Sequence, residues 1–232
     1  MKEIHIKNFN ELHNVFSNYR KNNLWLFRGH SNVSWELIPK AGREPYCHID
    51  DKRFFESWKR RAVEFIDLHT ENEWDWLAVA QHHGLATRLL DWTFNPLIAA
   101  YFAVENYEES DAIIYAYLFN RSIETNIVKT FEYEGIGRVK PNGRIQRIVR
   151  QGGIFTIHNP PTTKLDDNIT GEMRLDKIII DKSYRQELRF ELSHYGYNRL
   201  TLYSDLDGLS SHANWYMENR NYWNGEEIDF LE

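Results

Sequence analysis

The stretch "LWLFRGH", residues 24–30, decides how the chain is read, because an apolar run from Leu24 to Phe27 is broken by Arg28 and Gly29. The apolar part reads as a strand, and Gly29 marks a turn or a close backbone approach. A charged group on such a strand needs a partner, and a guanidinium suits carboxylate or phosphate oxygens. Two partners remain open for Arg28: an internal ion pair, with Asp91 as the candidate, or an anionic ligand. Gln151 poses the same choice between structure and ligand.

Working outward, residues 3–6 alternate as a short strand, and Asn10 can cap a helix to about Tyr19. Pro39, Gly42 and Pro45 make 31–48 a loop-rich excursion that could cover a pocket. Helical spacing of Phe54, Phe55, Trp58, Ala62, Phe65 and Ile66 predicts a helix over 51–68, and a second follows from Trp74 to His83, stopped by Gly84. Residues 85–93 are expected to be a connector, and Asn95-Pro96 opens an all-round apolar, deeply placed helix over 97–104. "AIIYAYLF" (112–119) reads as a buried strand, and the region through Glu134 is ambiguous. A turn at Pro141-Asn142-Gly143 precedes "RIQRIVRQGGIFTIH", which ends in a short strand. A strand near 173–180, a helix near 183–195, a strand near 199–203 and a final helix capped by Asp205 complete the pattern.

At 232 residues, with no repeat and no long linker, the expectation is one domain: a core over about 3–220 and a polar tail at 221–232. Aromatic residues make up 15% of the chain, which argues against disorder and supplies stacking surfaces for a planar ligand. A net charge of -6 and the lack of a long basic run give no electrostatic case for duplex binding. The single cysteine, Cys47, precludes an intrachain disulfide and a cysteine-rich zinc site; with no apolar span, the expectation is a soluble, cytoplasmic protein off the membrane.

His82 and His83 are adjacent, so on a helix they point about 100° apart and make a poor joint metal site. His48 and His69 complete no recognisable metal spacing, and no metal is expected. His83 beside Gly84 suits a helix C-terminus, and Arg88 with Asp91 can form an ion pair that orders the connector. Walker A, G-x-G-x-x-G and G-x-S-x-G patterns are absent, which weighs against kinase, Rossmann and triad-hydrolase chemistry.

Phe27-Arg28-Gly29 within "LWLFRGH", together with "QHHGLATRLLDWTFNPLIAAYFA" (81–103), resembles the FRG domain, a family named for that signature. The likeness extends to "RQGGIFTIH" (150–158) and loosely to "LYSDLDGL" (202–209), with Ala86 where a proline is expected. That family leaves the activity open. The order of elements is similar in turn to ADP-ribosyltransferases. This second resemblance implies an α+β fold with a split mixed β-sheet flanked by helices, and NAD as substrate and partner. It casts Arg28, Thr93 and Gln151 as catalytic residues and Arg28, Gly29, Trp35, His83, Thr93 and Tyr101 as contacts to the dinucleotide. Arg28 would hold phosphate oxygens, Thr93 with Tyr101 or Trp35 would shape a nicotinamide slot, and Gln151 would orient the ribose. His82, His83, Arg88 and Asp91 would brace the cleft. A Glu or Gln begins a later strand in that superfamily, and Gln151, being the amide, cannot act as a carboxylate base. The acceptor is left open among protein, nucleic acid and small molecule. The alternatives are a noncatalytic nucleotide-sensing or interaction module, and a nucleic-acid-processing protein using the five basic residues of "RVKPNGRIQRIVR" (138–150).

Overall fold

The structure, a computed structural model, describes residues 1–66, 70, 72–106, 109–119, 122–140, 152–203 and 205–223. Gln151, His69, the 141–143 turn, Arg144, Arg147, Arg150 and residues 224–232 of the expected tail lie outside this set. The strands in chain order are β1 (Glu3–Ile6), β2 (Trp25–His30), β3 (Leu89–Thr93), β4 (Ala112–Leu118), β5 (Gly135–Val139), β6 (Gly153–Asn159) and β7 (Arg174–Ile180). The helices are α1 (Phe9–Ser17), α2 (Asp51–Ala62), α3 (Glu73–His82), α4 (Pro96–Val104), α5 (Arg185–His194), α6 (Arg199–Tyr203) and α7 (Leu206–Glu218).

The strands form one mixed sheet, ordered β1-β7-β4-β2-β3-β6-β5, in which β1 and β7 run parallel and every other pair is antiparallel. β2 pairs with β4 along its whole length, from Trp25↔Leu118 to His30↔Ile113. With β3 it shares a single register pair, Phe27↔Thr93. The α+β class and mixed sheet are therefore as expected; in place of a split sheet the seven strands form one sheet, narrowed to a single register pair between β2 and β3.

Helices cover one face of each half. Leu12 and Val15 of α1, the alanines of α4, and Leu188 and Leu192 of α5 pack on the even-numbered residues of β4 and on Phe27. Phe55 of α2 and Leu77 and Ala80 of α3 pack on Leu89, Phe155 and Ile157. Leu37 and Leu165, from two long loops, close the opposite face over Leu90, Trp92, Ile113 and Tyr115. β4 is thus buried on both sides, which explains its unbroken apolar run. Small residues allow α4 to lie almost on the sheet: a Cβ at Gly29 would stand 2.0 Å from the Ala99 carbonyl oxygen and 2.5 Å from the Ala103 nitrogen. Gly29 is the close backbone approach that its position in the strand predicts.

Several expected boundaries move. The cap of α1 is Asn8, whose Oδ1 accepts from the Glu11 amide at 2.9 Å while Glu11 reaches back to the Lys7 amide at 2.8 Å; this reciprocal cap leaves Asn10 inside the first turn. α2 stops at Ala62 rather than 68, since beyond it Val63 and Phe65 are 60% and 84% exposed and have no layer to pack on. The 85–93 connector contains β3, whose two faces are both buried except at Asp91. The ambiguous region yields β5, an edge strand with the glycine-rich sequence GIGRV and little intrinsic strand signal. Residues 199–203 form a helix, not a strand: Thr201 N–H bonds the Asn198 side chain at 3.1 Å, and one turn suffices to bury Leu202 against the α4 layer. Asp205 caps α7 through the Gly208 amide at 2.6 Å, as expected.

Candidate functional site

Where β2 and β3 separate, a cleft of about 390 Å³ opens between the α3 and α4 layers. Its floor is Phe27 to Ser31 with Asp91 to Thr93; α3 contributes Gln81 and His82, α4 contributes Ala99 and Phe102, and the loop after β2 contributes Trp35 and Arg43. Gly153 and Phe155 close the β6 side.

Arg28 lies at the centre, its side chain 19% exposed. Its Nε donates to His30 Nε2 at 2.8 Å, and Nη1 donates to the Asp91 carbonyl at 2.8 Å and stands 3.7 Å from the Asp91 carboxylate. Among the described residues Nη2 has no hydrogen-bond partner, so a buried fork of donors is about half used. Burial lowers the Arg28 pKa to about 10, against the opposing pull of Asp91, and Arg43 adds to the lowering. The guanidinium stays charged at neutral pH.

His30 is the receptor for that charge. An arginine only donates, so His30 Nε2 must accept, which places the ring proton on Nδ1, 3.3 Å from the Trp35 carbonyl. Burial first and the neighbouring Arg28 second hold His30 neutral, far below its ordinary pKa. Arg28 and His30 are two apart on one strand and therefore share a face. On the other side of the cleft, Thr87 Oγ1 donates to Gln81 Oε1 at 2.5 Å and Gln81 Nε2 donates to Asp91 Oδ2 at 2.7 Å. That chain holds a carboxylate that is otherwise 55% exposed.

Arg43, in the loop, donates from Nε to the Ile38 carbonyl at 2.7 Å and adds a second guanidinium to the lining. Behind β3, on the face away from the helices, Trp92 Nε1 donates to Thr156 at 3.0 Å, and Thr156 lies 3.0 Å from His158 Nε2. His158 Nδ1, 2.8 Å from the Thr163 carbonyl, ends the relay as a donor, and burial lowers this histidine to about 4. The Thr and His of "IFTIH" therefore fix the floor of the cleft from below.

The structure brings Arg28, Gly29, Trp35 and Thr93 together in this cleft. Thr93 is buried and its Oγ1 accepts from the Asn95 amide at 3.0 Å, tying the end of β3 to the start of α4. Trp35 is 45% exposed, a partly free aromatic wall. Tyr101 does not join them. It is one position round the helix from Phe102 and points to a small separate cavity beside Arg189 and Trp215, so Phe102 is the α4 aromatic of the cleft. His83 does not line it either: it is exposed at the C-cap of α3, and His82 takes the lining position. The cation at that helix end is Lys40, whose Nζ donates to the Gly84 carbonyl at 2.9 Å.

Arg88 is not paired with Asp91. Side chains three apart on an extended segment project to opposite sides. Arg88 instead makes a two-point pair with Asp51 at 2.7 and 2.8 Å and lies 4.4 Å over the Phe131 ring. Arg43, His30, Phe102 and Gln81 were not among the expected ligand contacts. The "RGH" spacing carried a signal for His30, whereas Arg43 sits in a loop with no periodicity to read.

This geometry defines an α+β domain with an arginine-centred cleft at a narrowed sheet. Residues 23–112 match the family model of the FRG domain, and this matched segment, which runs from β2 through α4, supplies most of the cleft. No curated protein and no solved structure matches the chain. Among the described residues no helix is long and apolar enough to cross a membrane.

Proposed function

We propose that the cleft binds NAD and transfers its ADP-ribose to an acceptor. The observation that supports this reading best is the half-used guanidinium of Arg28, mostly shielded from solvent, charged and joined by Arg43 in one cleft. Two guanidiniums suit the oxygens of a pyrophosphate. Trp35 and Phe102 offer stacking surfaces for flat rings, and the cleft volume falls within the range of small-molecule sites.

In the transfer, the bond between the ribose anomeric carbon and the nicotinamide nitrogen breaks, and nicotinamide leaves with the electron pair. A lone pair of the acceptor forms the new bond to that carbon, and the acceptor loses a proton. Asp91, held by Gln81, supplies negative charge beside the carbon as it becomes positive. Thr93 fixes the floor on which the ring rests, and Gln151, by its amide, would orient the ribose.

Calorimetry with NAD and with a nonhydrolysable analogue tests the binding step; the expected dissociation constant is below millimolar, and its absence at millimolar ligand removes the proposal. Release of nicotinamide then separates transfer from a second reading, in which the same cleft senses a nucleotide without cleaving it. That reading is favoured by Asp91, whose carboxylate is already engaged by Gln81 and lies 3.7 Å from Arg28. Binding without turnover is its signature.

A further inference from the structure

The loop that carries Arg43 into the cleft holds, just beyond it, a second grouping of reactive side chains. The carboxylate of Glu44, the thiol of Cys47 and the imidazole of His48 place their donor atoms within 4.8 Å of one another. Cys47 Sγ is 3.2 Å from Glu44 Oε1, and His48 Nε2 is 2.9 Å from the same oxygen. Around a tetrahedral zinc ion with bonds of about 2.0–2.3 Å, neighbouring ligand atoms stand roughly 3.4–3.6 Å apart. The Glu44 oxygen therefore needs to part from the thiol and from the imidazole by only about half an ångström to admit the ion.

The donor set also selects the metal. One thiolate, one imidazole and one carboxylate suit zinc, whereas magnesium and calcium take oxygen ligands. Once the thiol is deprotonated the two anionic ligands match the charge of a divalent ion. Glu44 and His48 are largely exposed, so the ion has an entry path and water can take the fourth position. The backbone is already turned, with the Tyr46 and Cys47 amides donating to the Arg43 carbonyl at 2.7 and 3.0 Å.

We infer that Glu44, Cys47 and His48 form a zinc-binding site on the loop bordering the cleft. Binding replaces the Cys47 S–H bond with a sulfur–zinc bond, and the proton leaves to solvent. The spacing Glu-x-x-Cys-His lies outside the common zinc patterns, which is why sequence alone assigns His48 no metal role.

Cobalt(II), which reports ligand type by its absorption, is the probe. Titration of the full chain should take up about one equivalent, with a thiolate-to-cobalt charge-transfer band, intense tetrahedral bands and displacement by zinc. Zinc titrated in buffers of different ionisation enthalpy should release about one proton per ion. Cys47→Ser should abolish the charge-transfer band, and His48→Ala and Glu44→Gln should each weaken zinc affinity by about tenfold or more. None of these side chains belongs to the packed core, so the thermal midpoint of the metal-free variants should stay that of the parent. Uptake without a thiolate band, or uptake unchanged in Cys47→Ser and His48→Ala, overturns the site. These readouts do not depend on NAD binding or turnover.

Discussion

Two arginines in this protein, one buried and one partly so, stand in opposite circumstances. Arg185, at the start of α5 and 5% exposed, donates to the carbonyls of Ser31, Ser110 and Asn106 at 2.6–2.8 Å and of Ala103 at 3.4 Å. Those carbonyls belong to the end of α4, the turn after β2 and the approach to β4. The side chain closes three chain segments with its donors spent on protein. Arg28, on the neighbouring strand, spends one donor on a histidine and another on a carbonyl, and among the described residues its Nη2 bonds nothing. The same chemical group is a structural fastener at Arg185, where its fork is filled, and on the proposed reading faces the ligand at Arg28, where donors are left over. The difference lies in the surroundings, not in the residue type.

The comparison can be broken most sharply by removing each arginine. Arg185→Met should lower the unfolding free energy by roughly 3–5 kcal/mol, since several buried carbonyls lose their donor at about 1–3 kcal/mol each with some relief from water. Urea midpoints measure it; a loss under about 1 kcal/mol would show that the fork is dispensable. Arg28→Met, which strands only the His30 nitrogen and the Asp91 carbonyl, should cost less stability than Arg185→Met, about 1–3 kcal/mol, yet cut NAD affinity by roughly 100-fold, the scale for truncating one partner of a desolvated charged contact. A large stability loss with unchanged affinity would make the two arginines alike and end the contrast.

Gly29→Ala tests the ground between them, because its added carbon meets the Ala99 carbonyl at 2.0 Å. The helix must move, and a loss of about 3 kcal/mol is expected, read from the thermal or urea midpoint. Next in size is a pH effect. His158 is buried with its pKa lowered to about 4, so the unfolded chain binds more protons than the folded one between the ordinary histidine value of 6.5 and about 4. Stability should therefore be full above 6.5 and fall as pH drops through that window, at up to about 1.4 kcal/mol per pH unit from this residue. His158→Gln should flatten the slope of stability against pH there. The smallest effect is at Asp91, partly exposed: Asp91→Asn removes a negative charge from the cleft and should strengthen binding of the anionic nucleotide by less than tenfold while lowering any turnover. Weaker binding would place Asp91 on the ligand as an acceptor of its hydroxyl protons.

What could be read in advance follows from where the physical signal is local. The strand at Leu24–Phe27, the helix opened by Asn95-Pro96 and the cap at Asp205 each carry their cause within a few residues, and each appears where expected. β3 was hidden because "TRLLDWT" lacks polar alternation: both of its faces are covered, a fact of the tertiary fold. The "RLTLY" segment carries strand-favouring residues but forms a single helical turn, its choice made by the Asn198 cap and the pocket for Leu202. At the cleft, Arg28 was legible as a charge out of place. Its partner at Asp91 was legible too, though the hydrogen bond runs to the backbone carbonyl and the carboxylate stands farther off. For Arg88 the nearby Asp91 misleads, because its true partner, Asp51, lies 37 residues earlier at the start of α2. Tyr101 and Phe102 differ by one position, and only the seating of α4 on Gly29 decides which of them meets the cleft.

The single register pair between β2 and β3 has a mechanical meaning. A ladder that continued past Phe27 and Thr93 would occupy the Asp91 carbonyl with a main-chain donor; here the Arg28 side chain takes it, as a movable rung. A ligand that draws on the same guanidinium is thereby coupled to how firmly the two halves of the sheet are clasped. Occupancy of the cleft should be felt as slower amide exchange along β3, well beyond the atoms the ligand touches.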